Sequence, residues 1–289
     1  MNNLIKKIRE HAGISQQEMA DLLDVTFATV NRWENGRAMP NRLAQMKLYE
    51  FCLNHKIELY PLILEKIEGE LQGIEFDEDR MLLYHGSKSG IKGKLAPLSR
   101  DRCDFGRGFY MGTQPGQPLT LICDFQDSRF YAVSVKLHGL SMLEVSVDME
   151  WAMLVAYNRG KMERIKGTAL YQKYEHILDH KDLVVGSIAD DRMFYVLDNF
   201  FMGNLTDTAL VHSLSALQLG RQYVAVTQKA CDAVRIEKEI DISLLERRYL
   251  QRISEENRKQ GISMANDICK KYRRDGRYFD EILDEAERM

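Results

Sequence analysis

The segment Asp104-Phe-Gly-Arg-Gly-Phe-Tyr-Met-Gly-Thr113 places two glycines ahead of an aromatic run, as expected where a loop leads into a β-strand. Strand-like runs also occur earlier, at Leu83-Tyr-His-Gly-Ser87, and later, at Arg221-Gln-Tyr-Val-Ala-Val226. We predict β-strands over residues 82–85, 130–137, 182–187 and 223–226, with glycine-rich turns and helical stretches between them. This alternation predicts an α+β domain over residues 81–236.

Residues 1–68 are predicted to be helical throughout. Ser15-Gln-Gln-Glu18 has the spacing of a capping box, so a helix should begin there and end near Leu23. Thr26 is the predicted N-cap of the next helix, over residues 27–35, and Gly36 is suited to a left-handed C-terminal position. Two short helices joined by a tight turn can insert the second helix into a DNA major groove.

The predicted organisation is multidomain. An all-α helix-turn-helix bundle (1–68) precedes an acidic linker (69–80), the α+β domain (81–236) and a helical C-terminal extension (237–289). In the extension, Ser243-Leu-Leu-Glu246 is a second capping box, and further amphipathic helices from Ser263 should break near Gly276. The extension is either a cap packed on the second domain or an arm for oligomerisation or partner binding.

Composition narrows the class of protein. The net charge of −3 excludes a generally basic nucleic-acid coat, so any DNA contact must be local. Five widely separated cysteines without a C-x-x-C pair indicate neither a disulfide framework nor a zinc site, and no metal is expected. The polar start and the lack of a long apolar run predict a cytoplasmic protein without membrane association.

The segment from Ile14 to Thr26, followed by Val30-Asn-Arg-Trp-Glu-Asn-Gly-Arg37 and Pro40, resembles phage-repressor (Cro/C1-type) helix-turn-helix domains. The resemblance implies DNA binding through residues 1–68. The residues implied on or beside the base-reading face are Thr26, Phe27, Ala28, Thr29 and Arg32, and those implied at phosphates are Gln16, Gln17, Asn35 and Arg37. Because the patch is only weakly basic, a homodimer reading two half-sites is expected. A bundle that mediates only protein contacts is the alternative.

The three strand-like segments, in this order, resemble the diphtheria-toxin and poly(ADP-ribose)-polymerase branch of the ADP-ribosyltransferase superfamily. Val184-Val-Gly-Ser-Ile-Ala-Asp-Asp-Arg192 and the pair Asn158-Arg159 resemble hallmarks of a largely uncharacterised bacterial family in that superfamily. The resemblance implies an ADP-ribosyltransferase-like fold that uses NAD as substrate and modifies a protein or nucleic-acid acceptor. It also fits a toxin-like or phage-defence gene, with an antitoxin-like protein as a possible partner.

The resemblance assigns a role to each matching residue. His85 would hydrogen-bond a ribose hydroxyl, Tyr110 would stack on the nicotinamide ring, and the backbone of Gly86 would approach the carboxamide. Ser87 would also belong to the NAD-binding set. Arg107 is the favoured partner of the NAD pyrophosphate, with Arg100 and Arg102 as neighbouring candidates. A solvated basic loop is the alternative for these arginines.

One position departs from the family pattern. Active members have glutamate where this chain has Gln222, which can accept a hydrogen bond but carries no charge. Three interpretations stay open: transfer to an acceptor that needs no strong base, a substitute carboxylate, or binding without turnover. The candidate carboxylates are Asp104, Asp190 and Asp191, although the last two also suit a helix N-terminus. Because strand register is uncertain, Gln228 is a second candidate for the same place.

Three functions follow from these residues. The first is an NAD-dependent mono-ADP-ribosyltransferase acting on a macromolecule, with a DNA-binding head for autoregulation or targeting. The second is a transcriptional regulator whose catalytically weak second domain senses NAD or ADP-ribose. The third is a partner-binding scaffold in which both sites are vestigial.

Overall fold

The computed structural model describes residues 1–75, 77–188, 191–216, 220–272 and 275–288. Its N-terminal part is a bundle of five helices that bury one another's apolar faces around Ile5, Met19 and Leu48. The helices are α1 (Asn2–His11), α2 (Gln16–Leu23), α3 (Phe27–Glu34), α4 (Arg42–Asn54) and α5 (Leu59–Leu71).

The predicted helix-turn-helix geometry is confirmed in detail. The hydroxyl of Ser15 accepts from the Glu18 N–H at 3.2 Å, and the Glu18 carboxylate accepts from the Ser15 N–H at 2.7 Å, which completes the capping box. Thr26 caps α3 by accepting from the Thr29 N–H. Gly36, just after α3, has a φ of 70°. The turn between α2 and α3 is therefore fixed by local hydrogen bonds.

The second part is built on one seven-stranded sheet with the order β4-β5-β6-β2-β1-β3-β7. All neighbours are antiparallel except β4 and β5. The strands are β1 (Arg80–Ser87), β2 (Phe109–Gly112), β3 (Arg129–Lys136), β4 (Met142–Glu144), β5 (Leu183–Ser187), β6 (Arg221–Ala225) and β7 (Val234–Ile240). The four strands expected from composition are all present, which confirms the mixed α/β interpretation.

Helices cover the sheet and complete the chain. They are α6 (Gly116–Ile122), α7 (Met149–Asn158), a 3-10 turn (Glu163–Ile165), α8 (Ala169–Glu175), α9 (Asp191–Phe201), α10 (Asp207–Ala216), α11 (Gln228–Asp232), α12 (Leu244–Lys271) and α13 (Phe279–Arg288). α7 and α9 form a core around Trp151, Phe105 and Phe200, whereas α6 belongs to the core of the N-terminal bundle. Two cores therefore meet on one face of the sheet, and a third core, around Leu83, Val133 and Val185, covers the other face.

Three predicted element boundaries differ from the structure by a few residues. α5 continues to Leu71, and Arg80 belongs to β1, where its guanidinium donates to the Ser134 hydroxyl and the Ala233 carbonyl. The sheet continues through Ile240, so residues 237–240 are strand and not helical extension. β7 is an edge strand with charged side chains, which protect its open edge, and this charge made the segment resemble a solvated helix.

The C-terminal extension packs on both parts of the chain. α12 is one continuous 28-residue helix with the predicted capping box at Ser243, so the expected separate helix from Ser263 is wrong. It contacts α4 and α5 on one side and α9 and α10 on the other. Lys66 of α5 pairs with the fully buried Glu246 of α12 at 2.8 Å. The predicted break near Gly276 is confirmed, because α12 ends before it and α13 begins after it.

Candidate functional site

The sheet opens into a cleft between β1 and β2. These strands pair only at Tyr84 and Gly112, whereas β1 pairs with β3, and β2 with β6, along their lengths. The resulting cleft has a volume of about 960 Å³. It lies between the two cores, with α6 on one side and the 98–104 loop and α9 on the other. Among the predicted site residues, its lining includes His85, Gly86, Ser87, Asp104, Tyr110 and Gln222.

The three principal residues reach this cleft from two faces of the sheet. Gly112 lies opposite both Tyr84 and Gln222, so Tyr110 and Gln222 project from the same face as Tyr84. His85 follows Tyr84 in β1 and therefore starts on the other face. It lines the same cleft because β1 and β2 separate beside it.

His85 bridges the gap between the two strands. Its Nδ1 lies 2.7 Å from the Tyr110 carbonyl oxygen, and its ring stacks on Phe109 with centroids 4.3 Å apart. Because a carbonyl only accepts, Nδ1 carries the proton and Nε2 is the acceptor of the neutral ring. Burial lowers the pKa of His85, which favours this neutral form. The imidazole can thus accept a hydrogen bond from a ligand hydroxyl.

Tyr110 is fixed by both hydrogen-bonding functions of its phenol. The hydroxyl donates to the Gly106 carbonyl at 2.8 Å and accepts from the Phe105 N–H at 3.0 Å. Burial raises the pKa of Tyr110, so the phenol stays protonated. The hydroxyl is occupied within the protein, and the ring is the part that Tyr110 offers to the cleft.

Gln222 is buried and oriented by two acceptors. Its Nε2 donates to the Ser187 carbonyl at 2.8 Å, and its amide also interacts with the Asp104 carboxylate. Burial raises the pKa of that carboxyl, and the Gln222 amide partly opposes the rise. Because both neighbours can only accept hydrogen bonds, the end of the Gln222 amide that faces them is the nitrogen. The amide oxygen, Oε1, is then the atom left to accept from a ligand.

Asp104 extends this contact into a buried charged network. Its carboxylate pairs with the Arg159 guanidinium at 2.7 and 3.2 Å, and Arg159 lies 4.6 Å above the Phe194 ring. Burial raises the pKa of Asp104, while Arg159 and Gln222 oppose that rise. The amide of Asn158 donates to the Asp104 backbone carbonyl at 3.0 Å. The predicted carboxylate at residue 104 therefore lies directly beside Gln222.

Glycine at position 186 allows this network to form. Gly186 is opposite Gln222 in the sheet, and a Cβ there would lie 2.5 Å from the Phe105 ring. The ring of Phe105 is fully buried against β5 at Gly186, where the strand has no side chain. This packing positions the neighbouring residue Asp104 near β6. The Val-Val-Gly-Ser motif noted in the sequence thus has a packing explanation.

Gly86 has a packing role besides the predicted one. A Cβ on Gly86 would lie 2.6 Å from the Pro118 carbonyl oxygen and 2.8 Å from the Ile122 side chain, both in α6. The missing side chain therefore permits close packing of α6 on β1, and the approach of a ligand to the Gly86 backbone stays a prediction. The residue still lines the cleft.

Several other predicted site residues need correction. Arg107 is exposed, pairs with Asp101 and does not line the cleft, whereas Arg100 and Arg102 do line it. Gln228 begins α11 and donates to the Leu95 carbonyl and Asp232, so it is not the alternative to Gln222. Asp190 and the side chain of Asp191 lie outside the described residues.

Arg159 was missed as a site residue. Its signal in the sequence was the pair Asn158-Arg159, which forms the end of the apolar helix α7 and its C-cap. An arginine that ends a buried helix has to find a partner, and it finds Asp104. A motif noted only as a family resemblance was in fact a structural link to the cleft.

The DNA-binding face of α3 is mostly available. Thr26, Phe27, Ala28, Arg32, Asn35, Arg37 and Gln17 are exposed, and Thr29 is half-buried. Gln16 differs, because its amide nitrogen donates to Glu34 at 2.7 Å and its oxygen accepts from Asn31 at 3.2 Å. Arg9 pairs with the same Glu34. The expected phosphate contact of Gln16 therefore has to compete with an internal network.

The chain belongs to a family of proteins of unknown function, DUF3990, whose model matches residues 81–236. A helix-turn-helix family model matches residues 5–42. The N-terminal match, together with the exposed α3 face, indicates DNA binding. Comparison with curated proteins and with solved structures gives no match. None of the helices in the described part of the chain has the length and hydropathy needed to cross a bilayer.

Proposed function

We propose that the cleft binds NAD and that the protein transfers ADP-ribose from it to a macromolecular acceptor, with the helix-turn-helix as a DNA-binding head. The supporting observation is the convergence of His85, Tyr110 and Gln222 on one cleft, with Gln222 bound to the Asp104–Arg159 pair. This arrangement supplies hydrogen-bond acceptors, an aromatic surface and a buried carboxylate within one cavity. The proposal also draws on the resemblance of the three segments to ADP-ribosyltransferases.

The proposed reaction breaks the bond between the nicotinamide nitrogen and ribose C1′. The electron pair leaves with nicotinamide, which becomes neutral, and positive charge develops on the ribose. A nucleophilic atom of the acceptor then bonds to C1′ and loses its proton to solvent. Interactions that stabilise the developing charge are the ones that accelerate the step.

Each residue has one task in this proposal. Nε2 of His85 accepts from a ribose hydroxyl, and the Tyr110 ring contacts the nicotinamide face. Oε1 of Gln222 accepts from the hydroxyl nearest C1′, and Asp104 supplies negative charge behind it. Arg159 prevents that charge from being buried alone, at the cost of weakening its effect on the ribose.

The test uses full-length protein and NAD labelled in the adenylate half. Nicotinamide release and label transfer to macromolecules of a cell lysate are measured for the wild type and His85→Ala. The matched control is His138→Ala, which changes a histidine that does not line the cleft. We expect release by the wild type and the control and loss in His85→Ala. Absence of both NAD binding and nicotinamide release in the wild type would remove the enzymatic proposal.

The regulator remains the second candidate because α6 belongs to both parts of the molecule. Its Gln117, Pro118 and Leu121 line the cleft, whereas its Leu119 and Ile122 are buried in the core of the N-terminal bundle. At its start, the Tyr60 hydroxyl of α5 lies so close to Gly116 that a Cβ there would be 2.4 Å away. A ligand that moves α6 would thus also move the helices that support the DNA-binding head.

This second candidate makes a separate prediction. If the domain only senses NAD, saturating NAD changes operator affinity while nicotinamide release is absent. Fluorescence anisotropy with an operator selected from random DNA measures the first property, and chromatography measures the second. Turnover without any NAD effect on DNA affinity would favour the transferase alone.

A further inference from the structure

We infer that the acceptor is a single-stranded nucleic acid, held at the mouth of the cleft by Lys88, Lys92 and Lys161. This inference rests on the proposed function and names its substrate class. The lysines are exposed and line the same cleft as His85 and Gln222. None of them was assigned a role in binding NAD.

Charge is strongly unbalanced in the cleft. Seven cationic side chains line it, and Asp104 is its only carboxylate among the described residues. Lys94 pairs with Asp232 and Arg159 with Asp104, so five cations lack an ion-pair partner within the described part of the chain. They are Lys88, Lys92, Arg100, Arg102 and Lys161. This imbalance occurs in a protein whose net charge is −3.

The two phosphates of NAD do not account for this surplus. A pyrophosphate carries two negative charges, and Arg100 and Arg102 suffice to pair with them. Three lysines on two separate segments of the chain remain for another anion. An extended polyanion with regularly spaced charges fits lysines distributed around an opening.

Apolar side chains accompany these lysines in solvent. Leu98 and Leu121 line the cleft and are 80% and 47% exposed, and Phe125, which contacts the cleft residue Lys88, is 37% exposed. The Lys88 ammonium lies 4.2 Å from the Phe125 ring centroid, so a cation and an aromatic surface are presented together. Single-stranded nucleic acids bind to such surfaces, because bases stack on aromatic rings while phosphates pair with lysines.

A nucleic acid fits these features better than an acidic protein segment. An acidic peptide would satisfy the lysines but would leave exposed apolar and aromatic surface without a partner. In a splayed single strand each base can meet that surface and its reactive ring or exocyclic nitrogens can approach ribose C1′. The transfer then forms a bond from C1′ to a base nitrogen, releases neutral nicotinamide and gives one proton to solvent.

Binding is tested with fluorescent oligo(dT) and oligo(U) of about 12 nucleotides, which distinguish DNA from RNA. The rim variant is Lys88→Glu/Lys92→Glu/Lys161→Glu. The control, Lys166→Glu/Arg258→Glu/Lys259→Glu, has the same change of net charge at exposed positions away from the cleft. Both are also made with Arg32→Ala, which weakens the DNA-binding head. We expect the rim variant to lose tenfold or more in affinity and the control less than twofold.

Salt dependence gives a second readout. Loss of three lysine–phosphate contacts should reduce the slope of log affinity against log salt by about 2. Equal affinity and equal slope for the rim and control variants would overturn the inference. This binding measurement does not use NAD, so it is informative even if the proposed reaction fails.

Transfer is then measured with labelled NAD, the same oligonucleotides and an acid-rich polypeptide such as polyglutamate. We expect label on an oligonucleotide. The rim variant should reduce this labelling tenfold or more relative to the control variant, when each protein is normalised to its own nicotinamide release without acceptor. Nicotinamide release with label only on protein would refute the acceptor class but keep the proposed transferase. No NAD turnover in any arm would reject the transferase and with it this acceptor assignment.

Discussion

Replacing Gln222 with glutamate is expected to destabilise the protein, because the new side chain adds a buried negative charge and loses the amide nitrogen as a donor. Glutamate cannot donate to the Ser187 carbonyl or to Asp104, and it would bring a second carboxylate beside Asp104. Two charges about 4 Å apart repel by about 4 kcal/mol at an effective dielectric constant of about 20. For a chain of this size, that loss corresponds to a melting temperature lower by roughly 10 °C.

The assay is thermal and urea unfolding of the wild type, Gln222→Glu, Asp104→Asn and the double variant Asp104→Asn/Gln222→Glu. The double variant keeps one carboxylate and one amide, so it should recover at least about 2 kcal/mol relative to the sum of the single effects. The instability of Gln222→Glu should shrink as pH falls, because the folded state then takes up a proton that relieves the repulsion. A fully stable Gln222→Glu single variant at neutral pH would refute this reasoning.

Four further predictions follow from named contacts. Arg32→Ala should weaken operator binding by about 1–3 kcal/mol in gel-shift titrations, because Arg32 is exposed on α3, and an unchanged affinity would contradict its place on the reading face. Gly86→Ala should lower the free energy of unfolding by about 1–3 kcal/mol, because its Cβ would meet the Pro118 carbonyl. Gly69→Ala, where a Cβ meets nothing within 4 Å and φ is not left-handed, is the control and should lose no stability. Asp182→Asn should lower the free energy of unfolding by about 2 kcal/mol at neutral pH, because that carboxylate accepts from Lys229, the Ser141 N–H and the Thr227 hydroxyl. These hydrogen bonds, first the one from Lys229, lower the pKa of Asp182 to about 2. In urea unfolding, the difference from wild type should therefore persist above about pH 4 and shrink as pH falls towards 2. The contribution of His85 to NAD affinity should be constant as pH falls from 8 through about 6.5, because burial lowers the pKa of His85 and keeps the ring neutral. A loss of affinity centred at pH 6.5, seen in calorimetry of the wild type but not of His85→Ala, would contradict the neutral form.

Local signals predicted most of the fold. The capping boxes at Ser15 and Ser243 and the N-cap at Thr26 are hydrogen bonds within three residues, so the sequence contains both partners. The short run of aromatic and β-branched residues in β3, which is buried along its length, likewise identifies a strand from its own residues. Where residues close together in the sequence determine the local structure, the sequence was sufficient to predict it.

Partners distant in sequence explain the failures. Nothing near Gly86 indicates that α6 will press on it, and the backbone at Pro118 is 32 residues away. Arg107 and Arg159 are equally plausible as site arginines in the sequence, but one meets a neighbouring aspartate in solvent and the other a buried one across the cleft. Residues 237–240 of β7 were predicted to belong to the helical extension. That β7 is an edge strand with charged side chains follows from the order of the sheet, which is a tertiary property.

The central claim is that residues 85, 110 and 222 surround one molecule of NAD, and calorimetric titration of the full chain tests it most directly. The wild type should bind NAD with one site per chain, and His85→Ala and Gln222→Ala should each weaken binding by tenfold or more, about 1.4 kcal/mol. Gln228→Ala is the matched control, because this glutamine lies outside the cleft, and it should bind like the wild type. No binding by a folded wild type, or equal binding by all four proteins, would contradict the account.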